Sequence, residues 1–457
     1  MISIMQDKNK LIKIIAGKAA VAVFWLFVWW LLYLLIDRPV ILASPIQTFL
    51  TLFGLVVQKE FWSNVIFSLL RILLGLLIGC ILGVVLSFFT SKSKTVYEIF
   101  KPVLTLAKTV PVVSFIMLLW LAFFKYKGIM PIVISALMVF PIMWSDMSTA
   151  HAAMDKKLLE MANCCAKPFD VFLYVRLPHL FPYFISGIAT SIGMAWKAGI
   201  AAEVICSPLN SIGREIHTAR ANLESDTLLA WTAVVVALSI FLEFLLVKLL
   251  KKIKFRPKLH RSETPTSNGQ SFALVFDRIS KHYGEHHVLD QFSYVFPNGK
   301  TTAILGQSGC GKTTLLSIAA SLTEDDQKRY QMPPTAPGII FQEHRLIPGL
   351  TVAENILFAN RGANVKKILT ALSLSDVSEK YPDELSGGMQ RRVAIGRAVA
   401  FGGGIGIFDE PFTGLDEDTK ALCAHALFSA YKGKTVLFVT HDAEDAKRYA
   451  DEILKMS

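Results

Sequence analysis

Long apolar stretches separated by short polar segments run through the first half of the chain, and this pattern stops near Lys254. The first stretch runs from Ala19 to Ile36. Five more follow at roughly 64–89, 103–124, 129–147, 180–205 and 228–250. Each comes close to the ~20 residues that a helix needs to cross about 30 Å of hydrocarbon. The pattern predicts an all-α membrane domain with about six transmembrane helices.

The charges between the apolar stretches predict their orientation, because lysine-rich and arginine-rich loops stay on the cytoplasmic side of a membrane. The basic loops lie at 92–101, 156–167 and 248–261. The loops around 37–62 and 207–227 have mixed charge and would face outward, whereas Lys125 and Lys127 depart from the rule on a short outer loop. The first stretch is too long for a signal-peptide core, and no cleavage site follows it. We expect an uncleaved anchor and both termini in the cytoplasm.

The second half of the chain has the composition of a soluble α/β domain. The whole sequence is 53% hydrophobic and 18% charged, whereas soluble domains average about a quarter charged residues. Residues 255–271 are polar and contain prolines, which is typical of a linker. We therefore predict a transmembrane domain at 1–254, a linker at 255–271 and a soluble domain at 272–457.

The net charge of +11 does not indicate nucleic-acid binding, because the basic residues cluster beside the apolar stretches. No run of basic and aromatic residues suits a nucleic-acid strand. The six cysteines show no spacing of paired metal ligands. We expect lipid and a small solute as partners, and no nucleic acid.

Four ionisable residues fall inside the apolar stretches, where a charge is costly and usually faces protein or a water-filled path. They are Arg71, Lys197, Glu203 and Glu243. Lys197 and Glu203 are candidates for the lining of a solute pathway. A structural ion pair, or a side chain that reaches toward the membrane surface, explains them equally well.

A phosphate-binding loop follows the apolar strand Thr301–Leu305. Its glycines let backbone N–H groups approach phosphates at a helix N-terminus. Lys312 supplies a charge for the β- and γ-phosphates, and the Thr313 hydroxyl suits Mg²⁺. The loop comprises Gly306, Gln307, Ser308, Gly309, Cys310, Gly311, Lys312, Thr313 and Thr314. The loop predicts binding of a nucleoside triphosphate.

Further motifs follow in a fixed order. They are Gly338–Glu343 with Gln342, Leu385–Gln390, the strand Ile405–Pro411 with Asp409 and Glu410, Thr413–Asp416, and Val436–His441. This set resembles the ATPase domain of ABC transporters, an α/β P-loop fold with a helical subdomain. About thirty residues separate Lys312 from Gln342, which suggests a trimmed hairpin, and Gly406 is unexpected in a buried strand.

The resemblance implies a role for each residue at the nucleotide. Asp409, Gln342 and Thr313 would hold Mg²⁺, Glu410 would be the general base, and His441 would contact the γ-phosphate. Tyr283 would stack on adenine. The signature residues and the carboxylate of the following loop would close over ATP that a second chain holds. These are Ser386, Gly387, Gly388 and Asp416. ATP and Mg²⁺ are the implied cofactors.

The cytoplasmic segment 152–178 is amphipathic and ends at a proline. It resembles the coupling loop of bacterial ABC importer permeases, in which a short helix docks on the ATPase. The corresponding residues here are Glu160, Ala162, Ala166 and Phe169. The stretches Leu42–Pro45, Thr109–Phe115 and Ala195–Glu203 resemble permeases of the nitrate/sulfonate/taurine importer family. Ala166 stands where that family has glycine.

These resemblances imply a homodimeric ABC importer of the cytoplasmic (inner) membrane that receives its solute from an extracytoplasmic binding protein. The solute would be small and anionic or polar, such as a sulfonate, taurine, nitrate, bicarbonate or a thiamine-precursor pyrimidine. Two alternatives remain open: an exporter half-transporter and a membrane-tethered regulatory ATPase. The short inner loops argue against the first, and the complete catalytic motifs argue against the second.

Overall fold

A computed structural model describes residues 17, 20–21, 23–253, 255, 257–260, 269–284, 286–307 and 309–456. The basic N-terminus, part of the first apolar stretch, much of the linker and Ser308 lie outside these ranges. Contacts divide the chain into two units. The first unit combines Met1–Ala153 with Leu180–Lys254, and the second combines Met154–His179 with Phe255–Ser457. The domain boundaries predicted at 254 and 272 stay a prediction.

Helices make up the membrane domain in the described residues. In chain order they are α1 (Val23–Ile36), α2 (Pro45–Val56), α3 (Lys59–Lys92), α4 (Lys94–Thr109), α5 (Val112–Ala122), α6 (Met130–Ala152), α7 (Lys156–Cys165), α8 (Pro168–Val171), α9 (Leu177–Cys206), α10 (Ile212–Ala221) and α11 (Ser225–Lys252). A π-helical turn, Phe172–Arg176, joins α8 to α9. Ser44, Ser93 and Ser211 accept N-terminal N–H groups of α2, α4 and α10, which satisfies donors that a helix start leaves free.

Four helices in the described part of the chain are long and apolar enough to span a membrane, or five if one bent pair counts as a span. The four lie at Lys59–Lys92, Met130–Ala152, Pro168–Cys206 and Ser225–Leu250. The described residues therefore account for four or five of the roughly six predicted spans, and the predicted span Ala19–Ile36 lies partly outside them. The predicted span 103–124 is broken, because α4 and α5 meet at a bend of 100°. Val110 precedes Pro111 and is extended there, as expected for a residue before proline.

The packing of α3 on α6 depends on three glycines spaced four residues apart on α3. A Cβ at Gly75 would come 2.5 Å from the Ile132 carbonyl oxygen, and one at Gly79 would come 2.7 Å from the Val139 Cβ. Gly83 meets α6 in the same way. Small residues let membrane helices approach closely, so that backbone and side chains pack without voids.

The second unit contains a five-stranded sheet and a separate antiparallel hairpin. The hairpin pairs β1 (Leu274–Tyr283) with β2 (His286–Phe296). The sheet has the order β4-β5-β6-β3-β7, and its neighbours are parallel. Its strands are β3 (Thr301–Gly306), β4 (Pro337–Ile340), β5 (Ile405–Asp409), β6 (Thr435–Val439) and β7 (Glu452–Met456). The predicted α/β fold of this half is confirmed.

Helices cover this sheet. They are α12 (Lys312–Ala319), α13 (Val352–Ala359), α14 (Val365–Ala371), α15 (Gly387–Phe401), α16 (Glu417–Ala430) and α17 (Ala443–Tyr449). One apolar core joins α13–α16 to the sheet, and another packs the hairpin and α12 against strands that include β5 and β6. The segment between Ala320 and Pro337 contains no helix or strand in its described residues.

Tyr431 explains the unexpected glycine in β5. Gly406 pairs with Gly338 of β4, and the Tyr431 ring lies over both. A Cβ at Gly338 would lie 1.7 Å from the Tyr431 hydroxyl oxygen. One at Gly406 would lie 2.6 Å from the Phe408 ring and 3.1 Å from the Tyr431 ring. The Tyr431 hydroxyl donates to the Ala398 carbonyl at 3.0 Å. Gly338 therefore makes room for the buried tyrosine, and Gly406 makes room for both aromatic rings.

Candidate functional site

The candidate site lies where three parallel strands end. In the order β5-β6-β3, the carboxyl ends of neighbouring strands meet at one edge of the sheet. β3 leads into the phosphate-binding loop, β5 ends at Asp409, and β6 leads to His441. Ligands of open α/β sheets bind outside such strand ends.

The loop after β3 needs glycine for two different reasons. Gly309 and Gly311 have positive φ angles of 89° and 91°, which side chains with a Cβ rarely adopt. A Cβ at Gly311 would also come 2.8 Å from the Val288 carbonyl oxygen, and one at Gly306 would come 2.6 Å from the Met456 oxygen. The loop thus presents backbone rather than side chains, followed by the N-terminus of α12.

Lys312 folds back onto this loop. Its ammonium donates to the carbonyl oxygens of Gly306 at 2.7 Å and Gln307 at 2.6 Å, and it lies 3.8 Å from the Cys310 sulfur. A positive charge is thus held among the backbone groups that would face a phosphate.

Thr313 and Asp409 lie together, as the motif predicts for two groups that share a cation. The Thr313 hydroxyl donates to Asp409 Oδ2 at 3.1 Å. Burial raises the pKa of the Asp409 carboxyl, and the hydrogen bond from Thr313 opposes that rise. A carboxylate and a hydroxyl are oxygen ligands of the kind that Mg²⁺ accepts.

Glu410 is held in a strained backbone conformation. Its φ is 46°, in the left-handed region that residues other than glycine rarely occupy, and such strain costs about 1–3 kcal/mol. Its amide donates to the Val439 carbonyl at 3.1 Å, and its carboxylate accepts from the Thr413 hydroxyl at 3.1 Å. His441 Nδ1 lies 3.8 Å from Glu410 Oε1.

A cavity of about 310 Å³ lies among these groups. Its lining comprises Val288, Gly306, Gly309, Gly311, Lys312, Thr313, Thr314, Gln342, Asp409, Glu410, Val439 and His441. This size is within the range of small-molecule sites. Backbone donors, a lysine, a buried carboxylate and a second carboxylate therefore converge, which is the donor set that a triphosphate with Mg²⁺ needs.

Some predicted nucleotide residues lie away from this cavity. Tyr283 is half exposed at the end of β1 and is not part of the lining. Ser386 caps α15 by accepting from the Met389 amide, and Asp416 caps α16 by accepting from the Thr419 amide. Ser386 and Gly387 are exposed, and neither they nor Gly388 line the cavity of their own chain.

The predicted coupling segment packs within the ATPase unit. Asp155 caps α7 by accepting from the amides of Lys157 and Leu158. Met161 and Ala162 of α7 are buried in a cluster with Ile347, Leu350 and Phe358. Ala166 caps the C-terminus of α7 and packs at the edge of the same cluster.

Ion pairs surround this apolar contact. Arg345 donates to Glu160 at 3.2 Å, Lys157 donates to Glu343 at 2.5 Å, and Arg361 pairs with Asp170. Phe169 does not share in the contact, because it is 70% exposed. The sequence predicted that Glu160 and Ala162 contact the ATPase domain. It did not identify Arg345 and Arg361 as the partners of this segment.

Glu203 of the membrane unit is buried and fully partnered. It accepts from the Ser68 hydroxyl at 2.7 Å, from the Gly213 amide at 3.3 Å and from Arg71 at 3.4 Å. Arg71 also donates to the Leu209 and Asn210 carbonyls at 2.8 Å. These contacts favour the structural explanation for Glu203.

Lys197 differs from Glu203. It is exposed on α9 and has no hydrogen bond or ion pair among the described residues. Ser186, Thr190 and Met194 are exposed at helical spacing along the same helix, whereas the side chain of Trp196 is buried and donates to the Val235 carbonyl. Lys197 therefore lies on an exposed stripe that is polar except at Met194.

Two arginines of α15 lie outside the cavity but donate to the backbone around Gln342, a role that was not predicted from the sequence. Arg391 and Arg397 are 1% and 2% exposed, and both donate to backbone carbonyls near Gln342. Burial lowers the pKa of Arg391 to about 10, against the nearby carboxylates of Asp409 and Glu410. Arg391 directly follows the signature motif, and this position was the signal that the sequence offered for its role.

Two protein-family models match the chain. Residues 72–255 match "Binding-protein-dependent transport system inner membrane component", and residues 289–413 match "ABC transporter". The two matches lie in the membrane part and the ATPase part, respectively.

Curated relatives match the ATPase part. The aliphatic sulfonates import ATP-binding protein of Bacillus thuringiensis subsp. konkukian is 38% identical over 195 residues, which cover 39% of this chain and 77% of that protein. The sulfate/thiosulfate import ATP-binding protein CysA 2 of Chromobacterium violaceum is 35% identical over 210 residues, 42% of this chain and 57% of that protein. A dimeric ATP-binding cassette, solved in a post-hydrolysis state with ADP and Pi, is 28% identical over 41% of this chain and 94% of that one, with a TM-score of 0.36.

Proposed function

Since the chain belongs to the ABC transporter family, we propose that it imports a small anionic or polar solute as a homodimer in the cytoplasmic (inner) membrane. It is a multi-pass membrane protein in which a permease component and an ABC ATPase share one chain, and ATP hydrolysis is coupled to transport. We assign residues 1–254 to the permease, 255–271 to the linker and 272–457 to the ATPase, with both termini and the ATPase in the cytoplasm.

One observation carries the choice of an importer. Residues 154–179 lie between two membrane helices, yet they pack within the ATPase unit through α7. This is the arrangement that a short importer coupling loop requires, and it leaves no place for the long cytoplasmic extensions of an exporter. The binding-protein-dependent permease match supports the same direction.

ATP and Mg²⁺ are the cofactors of this domain. The residues present fit them, because Gly306, Gly309 and Gly311 place no side chain in the loop and Thr313 already donates to the buried Asp409. We propose that Lys312 and the loop amides hold the phosphates, and that Thr313, Asp409 and Gln342 hold Mg²⁺. The bound ion would neutralise charge on the phosphates.

Glu410 is the proposed general base, and His441 would orient the reacting end of the nucleotide. Thr413 and His441 lie on either side of the Glu410 carboxylate, so the carboxylate is held while it accepts a proton from water. Tyr283 remains the proposed adenine contact.

We propose that Ser386, Gly387, Gly388 and Asp416 complete the site of the second chain. Their exposure away from their own cavity supports this division. A dimer that mixes Lys312→Ala chains with Ser386→Arg chains would have one site with both defects and one site with neither. Phosphate release above that of each single variant is expected, and no recovery would contradict the shared site.

The solute pathway would include Lys197. A lone cation on a polar stripe is better placed toward a water-filled path than toward lipid. Because the matched relatives are named for sulfonate and sulfate import, an anionic solute is the first candidate. We expect Lys197→Gln to lower uptake about tenfold while basal ATP hydrolysis persists, and Lys197→Arg to retain most uptake.

The direction of transport is tested in vesicles that contain the purified full chain. An extracytoplasmic binding protein is placed outside with taurine, an alkanesulfonate, nitrate, bicarbonate or a thiamine-precursor pyrimidine, each labelled in turn. ATP-dependent accumulation of one of them is expected. Export of the label would favour the exporter, and hydrolysis that no binding protein or solute changes would favour a regulatory ATPase.

A further inference from the structure

Two buried arginines on the signature helix α15 hold one short segment of backbone, Phe341–Arg345. Arg391 donates to the Phe341 carbonyl at 2.7 Å and to the Gln342 carbonyl at 3.2 Å. Arg397 donates to the Arg345 carbonyl at 2.8 Å and to the His344 carbonyl at 3.2 Å. Four of the five carbonyls in the segment are therefore bound to one helix.

This segment has two functional sides. On one side of the segment, Gln342 lines the cavity together with Lys312 and Glu410. The side chains of Glu343 and Arg345 instead reach α7, where they pair with Lys157 and Glu160. The Arg345 guanidinium also lies 3.8 Å from the centre of the Phe341 ring. Any shift of α7 is therefore passed to a segment that also carries Gln342.

Arg391 extends the same contact to the catalytic strand. Its remaining donors reach the carbonyls of Asp409 at 3.0 Å, of Pro411 at 3.0 Å and of Glu410. The strained backbone of Glu410 is thus fixed from both sides, by Arg391 at its carbonyl and by the Val439 carbonyl at its amide. One side chain therefore joins the signature helix, the Gln342 segment and the general base.

We propose that Arg391 and Arg397 are positioning residues that make α15, segment 341–345 and the end of β5 move as one body. Arg391 sets the place of Glu410 and Gln342, and so controls the rate of hydrolysis. Arg397 sets the end of the segment that faces α7, and so controls the response of hydrolysis to solute. The helix α15 begins at the residues proposed to close over the partner's ATP. Closure of one ATP site would therefore also change the position of the catalytic groups in the other site.

A merely structural role for these arginines predicts something different. A structural arginine would lower stability when replaced, but the folded fraction would keep its normal kinetics. Lysine is the sharper replacement, because it keeps the charge but offers one compact ammonium instead of a planar fork with five N–H donors. A lysine at 391 cannot reach three segments at once.

The test of the first role is the basal ATPase of the full chain in detergent. Arg391→Lys is expected to lower kcat about tenfold to a hundredfold, as for a small misplacement of catalytic groups, with KM for ATP within about twofold. Arg392→Lys is the matched control, since Arg392 donates to the Leu372 and Ser373 carbonyls and not to the site. An equal effect of both variants, or an unchanged kcat for Arg391→Lys, would overturn the proposal.

Arg397→Lys tests the second role, and only this part rests on the proposed import function. Basal hydrolysis is expected to change less than about threefold, whereas stimulation by binding protein and solute falls about tenfold. Stimulation as strong as that of the wild type would overturn this role. If Arg391→Lys shows no cooperative melting, dimers with one wild-type chain are used instead. Turnover would then fall to half or less, and full turnover would contradict the proposal. Because basal hydrolysis needs no solute, failure of import and failure of positioning give different results.

Discussion

Each unit of the molecule has an arginine that binds a neighbouring backbone segment; Arg71 is partly shielded from solvent, whereas Arg391 is buried. The two units neutralise the charge differently. In the membrane unit, Arg71 faces the buried carboxylate of Glu203 and caps two carbonyls. In the ATPase unit, Arg391 makes no ion pair among the described residues and donates to backbone carbonyls, with the carboxylates of Asp409 and Glu410 nearby. An ion pair in an apolar setting can be exchanged as a pair for apolar groups, whereas carbonyls that lose their donor are left unsatisfied.

The two units also achieve close packing in different ways. The membrane unit brings α3 against α6 by removing side chains at Gly75, Gly79 and Gly83. The ATPase unit has apolar cores and also places individual polar side chains in its interior, where Arg391 and Tyr431 reach specific backbone groups. Substitutions should therefore act through catalysis in one unit and through packing in the other.

The largest effect is expected from Glu410→Gln in the ATPase unit. Amide nitrogen and oxygen preserve the shape but cannot accept the proton from water, so hydrolysis should fall about 10²–10⁴-fold. Binding of a fluorescent ATP analogue and the melting temperature should stay close to the wild type. Glu379→Gln is a matched carboxylate-to-amide change at an exposed residue outside the cavity. Near-normal turnover of Glu410→Gln would remove Glu410 from the role of base.

The second-largest effect is expected when the Arg71–Glu203 ion pair of the membrane unit is broken. A double variant then tests whether apolar residues can replace the pair. Glu203→Ala leaves Arg71 without its counter-ion and should cost about 3–5 kcal/mol of unfolding free energy, the range for a broken buried pair. The double change Arg71→Met with Glu203→Met should recover most of that loss. Glu243→Gln is the control, because Glu243 is exposed on α11. Melting in detergent measures all three, and a double variant no more stable than Glu203→Ala would break the comparison.

A smaller loss is expected at the contact of α3 with α6. Gly79→Ala places a methyl group 2.7 Å from the Val139 Cβ and 2.8 Å from the Ala136 carbonyl oxygen, so overpacking should cost about 1–3 kcal/mol. Gly54→Ala in α2 is the control, because nothing lies within 4 Å of the added methyl. The control should be neutral or slightly stabilising, since alanine favours helices. Equal melting of the two variants would show that the close contact contributes little.

The smallest effect on stability belongs to the exposed ion pairs around α7. Both side chains of Lys157–Glu343 are more than half exposed, so Glu343→Gln should change the free energy of unfolding by less than about 1 kcal/mol. Glu324→Gln removes a pair with Lys328 that is even more exposed, away from α7. Only Glu343→Gln should lower the solute-stimulated part of hydrolysis. A lower melting temperature for Glu343→Gln alone would mean that this pair holds α7 in place.

The sequence could predict the groups at the strand ends, because each follows its strand directly in a short motif. It indicated Thr313 with Asp409, and the structure places them in one hydrogen bond. The roles of Arg391 and Arg397 could not be predicted from the sequence, because their partners are carbonyl oxygens, which every residue carries. The break in the predicted span at Pro111 was not predicted, because hydropathy gives no information on the turn that a proline imposes. For Glu203 the sequence left both a pathway role and a structural ion pair open, since its partners Ser68 and Arg71 lie on another helix.

Tyr431 and the two glycines beneath it have a consequence for how this domain can vary over evolution. A side chain at Gly338 would clash with Tyr431, and one at Gly406 would clash with the rings of Phe408 and Tyr431. A smaller residue at 431 would leave a void above the two glycines. A single change at any of the three positions is therefore disfavoured, although a coordinated set of changes is not. Among related ATPases, glycines at the two strand positions are expected to occur together with a large aromatic residue at the end of the following helix, and to disappear together with it.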